Sequence, residues 1–230
     1  MFVPIHDTNS LSRIKRPIVT WLIIAATVAV FAFFQAGSSG IEASLIAYRF
    51  GAIPSVLTDQ AVLPAELATL PNGLSLITYS LLHGSWTHLA GNMLFLWVFG
   101  DNVEDAMGHV RFLLFYGLCA AVGGYVYVLS APASDIPLIG ASGAISGVVA
   151  AYLMLHPKVK LWFLVFGPIP FRLRAQWVLG AWIILQFYNV IVHPAGQVAW
   201  TSHVGGLIAG AVLILFFRLP GTPLFDRSPS

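Results

Sequence analysis

Charge is what this chain most lacks. Only 9% of its 230 residues are Asp, Glu, Lys or Arg, while 58% are hydrophobic; a soluble domain carries about 25% charged residues. That excludes an ordinary water-soluble globule and fits one integral membrane domain. The net charge of +2 comes with no basic block long enough to form a binding stripe, so nucleic acid is not an expected partner. A single cysteine, Cys119, lies in an apolar run, which rules out a disulfide framework. Carboxylates are equally scarce, and all nine fall in loops, at span ends or in the tails. An intramembrane aspartyl mechanism needs two buried carboxylates and is excluded, as is a proton relay built from acids. The sequence has no H-E-x-x-H, the usual ligand pattern of a zinc protease. Neither a metal nor a cofactor is expected.

What the chain does have is apolar runs. A membrane span needs about 20 mostly apolar residues. Six segments qualify, at approximately 18–36, 82–101, 110–130, 139–156, 174–192 and 198–217. The expected fold class is all-α: a six-helix membrane domain over residues 18–217, flanked by short cytoplasmic segments 1–17 and 218–230. The first run is read as an uncleaved span, because it is long for the core of a signal peptide. The stretch LWFLVFGPIP at 161–170, broken by Pro168 and Pro170, is expected to be an interfacial loop. About 45 residues separate spans one and two, far more than a usual connection, which points to a functional element. Ten of the eleven basic residues share one side of this arrangement, Arg49 being the exception. The positive-inside bias therefore puts both termini in the cytoplasm. Spans two, four and six then all run inward, with their first turns at one depth near the outer face.

Polar side chains gather at that depth. Span two opens HGSWTHLAGN, which sets His88 and Asn92 four residues apart on one helix face. Span four opens GASG with Ser142 in its first turn, and span six opens VAWTSHVGG with His203 about one turn in. One reading is that these groups hydrogen-bond to each other and hold the helices together. The other is catalysis, and the arrival of three spans' polar groups at one depth favours it. Packing alone does not require a nucleophile and a base to meet.

A serine hydroxyl attacks only when a base takes its proton, and neutral imidazole does this near pH 7. Ser142 and His203 are the candidate nucleophile and base. Candidate donors to a developing oxyanion are His88, Asn92 and the backbone N–H of Ser142, which stands at the positive end of a helix dipole. No Asp is available to orient His203, so a dyad is expected rather than a triad. Gly143 and Gly147 on span four, like Gly206 and Gly210 on span six, form small-xxx-small pairs that let helices approach closely in lipid. Hydrolysis consumes water, so a cavity open to the outer face is expected, with Ser142 about 10 Å below the surface.

These residues also carry a resemblance. His83, His88 and Asn92 spell H-x-x-x-x-H-x-x-x-N; Gly140, Ser142 and Gly143 spell G-x-S-G; His203, Gly206 and Gly210 spell H-x-x-G-x-x-x-G. Three motifs in this order on three spans make the chain similar to a rhomboid intramembrane serine protease of bacterial type, over essentially its whole length. The resemblance implies Ser142 as nucleophile, His203 as general base, and an oxyanion hole of His88, Asn92 and the Ser142 N–H. It implies helix packing around the site at Gly140, Gly143, Gly206 and Gly210, and a half-submerged first loop that His83 supports. The implied partners are the lipid bilayer and single-pass transmembrane substrates, cleaved after a small side chain near helix-destabilising residues. Such substrates would reach the site near spans two and five. Glu104, Gly108 and Arg111 resemble a structural motif on the cytoplasmic side.

The short termini, without a transit peptide, point to a bacterial plasma membrane. The chain departs from the family at three places. It has Tyr48-Arg49 where many first loops carry Trp-Arg, Ser146 where some members carry tyrosine, and Ser202 where alanine is frequent. An alternative is a proteolytically inactive rhomboid-like protein that binds membrane clients, but such members usually lack the serine or the histidine. A transporter would have broken helices and charged midplane sites, which are not seen.

Overall fold

Apolar runs become helices because a helix satisfies its backbone hydrogen bonds internally, as lipid demands. A computed structural model describes residues 2–38, 40–165, 169–193 and 198–226. The helices are α1 (Ile18–Val30), α2 (Ile41–Phe50), α3 (Trp86–Met107), α4 (His109–Ser130), α5 (Ser142–Leu155), α6 (Ala175–Val192) and α7 (Trp200–Phe217). A π-helical turn, Phe31–Gln35, extends α1, and short helical turns occupy 54–57 and 72–81 in the first loop. The six apolar segments of the sequence correspond to α1, α3, α4, α5, α6 and α7.

Among the described residues, four helical segments are long and apolar enough to cross a membrane: Ile18–Gln35, His109–Ser130, Ala175–Val192 and Trp200–Phe217. The chain is mostly helical and has the make-up of a polytopic helical membrane protein. The other two helices differ for physical reasons. α3 carries Asp101, Glu104 and Asp105 in its last two turns, and α5 has only 14 residues. α5 is the central helix: every residue from Gly143 to Tyr152 is buried, and α3, α4 and α7 pack around it. A helix wrapped by other helices does not need a lipid-facing length.

The fold is not all-α. Strands β1 (Phe2–Asp7), β2 (Lys160–Val165) and β3 (Pro170–Arg174) form an antiparallel sheet in the order β1-β2-β3. Residues 161–165 and 170 of the segment expected to form a loop, and part of the segment 1–17, are therefore strands. The cause is visible in KLWFLV, where Leu161 and Phe163 are buried while Lys160 and Trp162 are half-buried. That is the period of two of a strand. Pro170 lacks an N–H and stands at the start of the edge strand, where a strand tolerates it. Pro168 and Arg227 lie outside the described residues.

Carboxylates at the C-terminal end of α3 tie the N-terminal segment to the bundle. Glu104 accepts from the Val19 and Thr20 backbone N–H groups at 2.9 and 2.8 Å, and from the Thr20 hydroxyl at 2.7 Å. Those two N–H groups belong to the first turn of α1, which has no intrahelical acceptor for them. Asp105 accepts from the N–H groups of Ser12, Arg13 and Ile14 at 3.1, 2.7 and 2.7 Å. On β1, Asp7 accepts from the Tyr152 hydroxyl at 2.6 Å and the Asn102 amide at 3.0 Å.

Candidate active site

The site begins with two backbones in contact. A Cβ on Gly206 would overlap the carbonyl of Gly143, and one on Gly210 would overlap the carbonyl of Gly147. Glycine at these positions lets α5 and α7 touch along their main chains. At that seam Ser142 begins α5 and His203 stands in the first turn of α7. The Ser142 Oγ lies 2.7 Å from the His203 Nε2. Ser142 is half-buried, whereas His203 is 7% exposed.

His88 and Asn92 come from α3. The Ser85 hydroxyl accepts the His88 backbone N–H at 3.1 Å and caps this helix, so the two side chains emerge one turn apart. The Asn92 Nδ2 donates to the His83 Nε2 at 2.9 Å. An amide nitrogen has two hydrogens, so one remains free. His83 is clasped in turn by Gln35, which donates to its carbonyl at 3.0 Å and accepts its N–H at 3.1 Å. The π turn at the end of α1 presents Gln35 for this clasp; such turns recur at functional sites. Gly140 has a φ of +119°, and a Cβ there would meet the His88 ring at 2.8 Å. The glycine thus lets the chain pass against that imidazole just before Ser142.

Besides Gln35, the residues that sequence reasoning missed surround the His203 ring. The Gln186 Oε1 lies 2.8 Å from its Nδ1. Trp182 stacks beside it, with centroids 6.5 Å apart, and Trp200 meets it edge-on at 5.7 Å. The available signal was a pair of amides, Gln186 and Asn189, within a mostly apolar segment, since polar groups there need partners. Ser146, at the position where some rhomboids carry tyrosine, donates its hydroxyl to the Ser142 carbonyl at 2.7 Å. Two cavities, of about 300 and 660 Å³, are walled by first-loop residues such as Tyr48, Ile53 and Val56. Neither is lined by Ser142 or His203, so neither is the expected cavity over that pair. Among the described residues, no group of three or more His, Cys, Asp or Glu could hold a metal ion.

Residues 71–220 match the rhomboid domain, a stretch that contains every motif position from His83 to Gly210. The chain belongs to the rhomboid family. It is 30% identical over 217 residues to rhomboid protease GluP of Bacillus subtilis, a match covering 92% of this chain and 37% of that protein. It is 31% identical over 150 residues to rhomboid protein 1, mitochondrial, of Saccharomyces cerevisiae, covering 60% and 40%. It is 29% identical over 209 residues to the human presenilin-associated rhomboid-like protein, mitochondrial, covering 88% and 48%. The chain therefore spans less than half the length of these three rhomboid relatives.

Proposed function

We propose that the chain is an intramembrane serine endopeptidase that hydrolyses peptide bonds in or near the transmembrane segments of membrane proteins. The observation that carries this reading is the 2.7 Å separation of the Ser142 Oγ and the His203 Nε2 across two helices. A nucleophile and a base within hydrogen-bond reach are what acyl transfer needs. Ser142 attacks the peptide carbonyl carbon while His203 takes its proton. The imidazolium then gives that proton to the leaving amine. Water, deprotonated by the same imidazole, releases the acyl group from Ser142. The charge that develops on the carbonyl oxygen is met by His88, the free N–H of Asn92 and the Ser142 backbone N–H.

Six membrane-crossing helices, with α3 and α5 included and both termini cytoplasmic, are part of this reading, as is a bacterial plasma membrane. The distribution of basic residues supports the orientation. α5 has 14 residues, about 21 Å of helix against a hydrocarbon core of about 30 Å. A helix that short supports a Ser142 sunk below the outer face, where single-pass transmembrane substrates present their ends.

The test is to purify the protein in detergent, offer it a transmembrane substrate, and compare it with Ser142→Ala. Cleavage by wild type and none by the variant is expected; equal cleavage overturns the reading. Substrate that wild type holds but leaves intact would mark a client-binding rhomboid-like protein instead.

A further inference from the structure

Gln186 has no role in the reaction as described, yet it is 1% exposed and touches the imidazole directly. Beyond Leu179, α6 buries only Gln186 and Asn189. An amide kept out of water there is costly unless both of its ends are paired. Both are. Its Nε2 donates to the carbonyl of Trp182, one turn earlier on the same helix, at 3.0 Å. Its Oε1 faces the His203 Nδ1 at 2.8 Å.

This pairing removes an ambiguity. Oxygen and nitrogen of an amide can be exchanged by a flip, so the network must decide between them. A backbone carbonyl only accepts, so the Trp182 carbonyl must face the amide nitrogen. Turning the amide over would set two acceptors against each other. The Gln186 oxygen is therefore fixed toward His203, and an amide oxygen cannot donate. The Nδ1 must carry the hydrogen. A neutral imidazole has only one N–H, so the Nε2 is bare and faces the Ser142 hydroxyl as an acceptor.

We infer that Gln186 is a positioning residue: through its α6-anchored amide it holds His203 in the Nδ1–H tautomer, leaving the Nε2 free to take the Ser142 proton. It fills the orienting place for which the sequence offered no Asp. Its consequence for turnover rests on the Ser142–His203 reading; the tautomer itself does not.

The experiment uses purified protein with 15N-labelled histidine, with His203→Ala to assign the ring signals. Wild type should show His203 as the Nδ1–H tautomer. Gln186→Met is close in shape and has no amide oxygen. It should give a tautomer mixture, with kcat lowered about 10- to 100-fold and KM within about twofold, a loss inside the range of general-base catalysis. Gln186→Glu keeps an acceptor facing the Nδ1 while giving up the donor to the Trp182 carbonyl, and its Nδ1 should still carry a hydrogen; it carries the test alone if the Met variant does not fold. An Nε2–H tautomer in wild type, or in Gln186→Glu, overturns the inference. So does a Gln186→Met variant that matches wild type in tautomer and kcat. If wild type shows the Nδ1–H tautomer, loses it in Gln186→Met, and still cleaves nothing, the protease reading falls and the tautomer assignment stands.

Discussion

The carbonyl of Gly143 occupies the space that a side chain on Gly206 would need. The same contact recurs one turn on, between Gly147 and Gly210. Two helix main chains are thus in touch, and the 2.7 Å approach of Ser142 to His203 lies at the end of that seam.

Gly206→Ala should therefore force α5 and α7 apart, because the atom it meets is backbone and cannot rotate away. The expected loss is about 3 kcal/mol, the upper end of overpacking costs, with labelling by a fluorophosphonate probe reduced at least about tenfold. Gly117→Ala on α4 is the control, since a Cβ there meets nothing within 4 Å. Thermal unfolding and labelling of the two variants in one detergent check this; matching behaviour would contradict the seam.

Asn92 has one N–H committed to His83 and one free for an oxyanion. Asn92→Ala should lower kcat about 10²- to 10³-fold, the cost of one oxyanion donor. His83→Ala removes the partner that aims Asn92 and the ring that meets His88 edge-on at 5.0 Å, but no donor to the oxyanion, and should cost about tenfold. Steady-state cleavage of one transmembrane substrate by both variants gives the comparison. A larger loss for His83→Ala than for Asn92→Ala would reverse the assigned order.

Two carboxylates, Asp7 on β1 and Asp105 at the C-terminal end of α3, should give opposite pH responses. Burial raises the Asp7 carboxyl above its ordinary range, against the hydrogen bond from Tyr152. A raised folded value means that the charged form is disfavoured, so its stability contribution is present below about pH 4 and lost as pH rises through the folded value. Asp7→Asn keeps the acceptor without the charge. It should melt no lower than wild type at pH 7.5, whereas Asp7→Ala should melt lower at every pH. For Asp105, burial acts upward but the donors of Ile14, Arg13 and Ser12 outweigh it, and the carboxyl is lowered. Its contribution is present above about pH 4 and lost as pH falls through the lowered value. Asp105→Asn should therefore melt lower than wild type at pH 7.5 and converge with it in acid. Melting curves at pH 4 and pH 7.5 decide the Asp7 case, and curves at pH 7.5 and about pH 2, below the ordinary carboxylate value, decide the Asp105 case.

Much of the bundle was legible because its signals are local. A run of apolar residues marks a helix wherever it packs, and boundaries such as 174–192 for α6 lie within a residue of the observed ones. Spacing alone put His88 and Asn92 on one face of α3, and the GASG stretch put Ser142 at a helix start. The sheet was hidden because β1 finds its partner 154 or more residues away, for example Asp7 opposite Leu161. LWFLVFGPIP read as an apolar run broken by prolines, and only pairing revealed the alternation of its first five residues.

The sequence by itself determined the membrane class, the order of the helices and which side chains stand at their ends, because hydrophobic runs and helical periodicity are written along the chain. Only the tertiary structure decided how those ends face one another. That Gln186 meets the Nδ1 of His203, and that Gln35 clasps His83, follows from how α6 and the end of α1 dock. The physical reason is that a hydrogen bond between helices depends on crossing angle and rotation. Those are fixed by packing across the whole bundle, and no spacing within one segment encodes them.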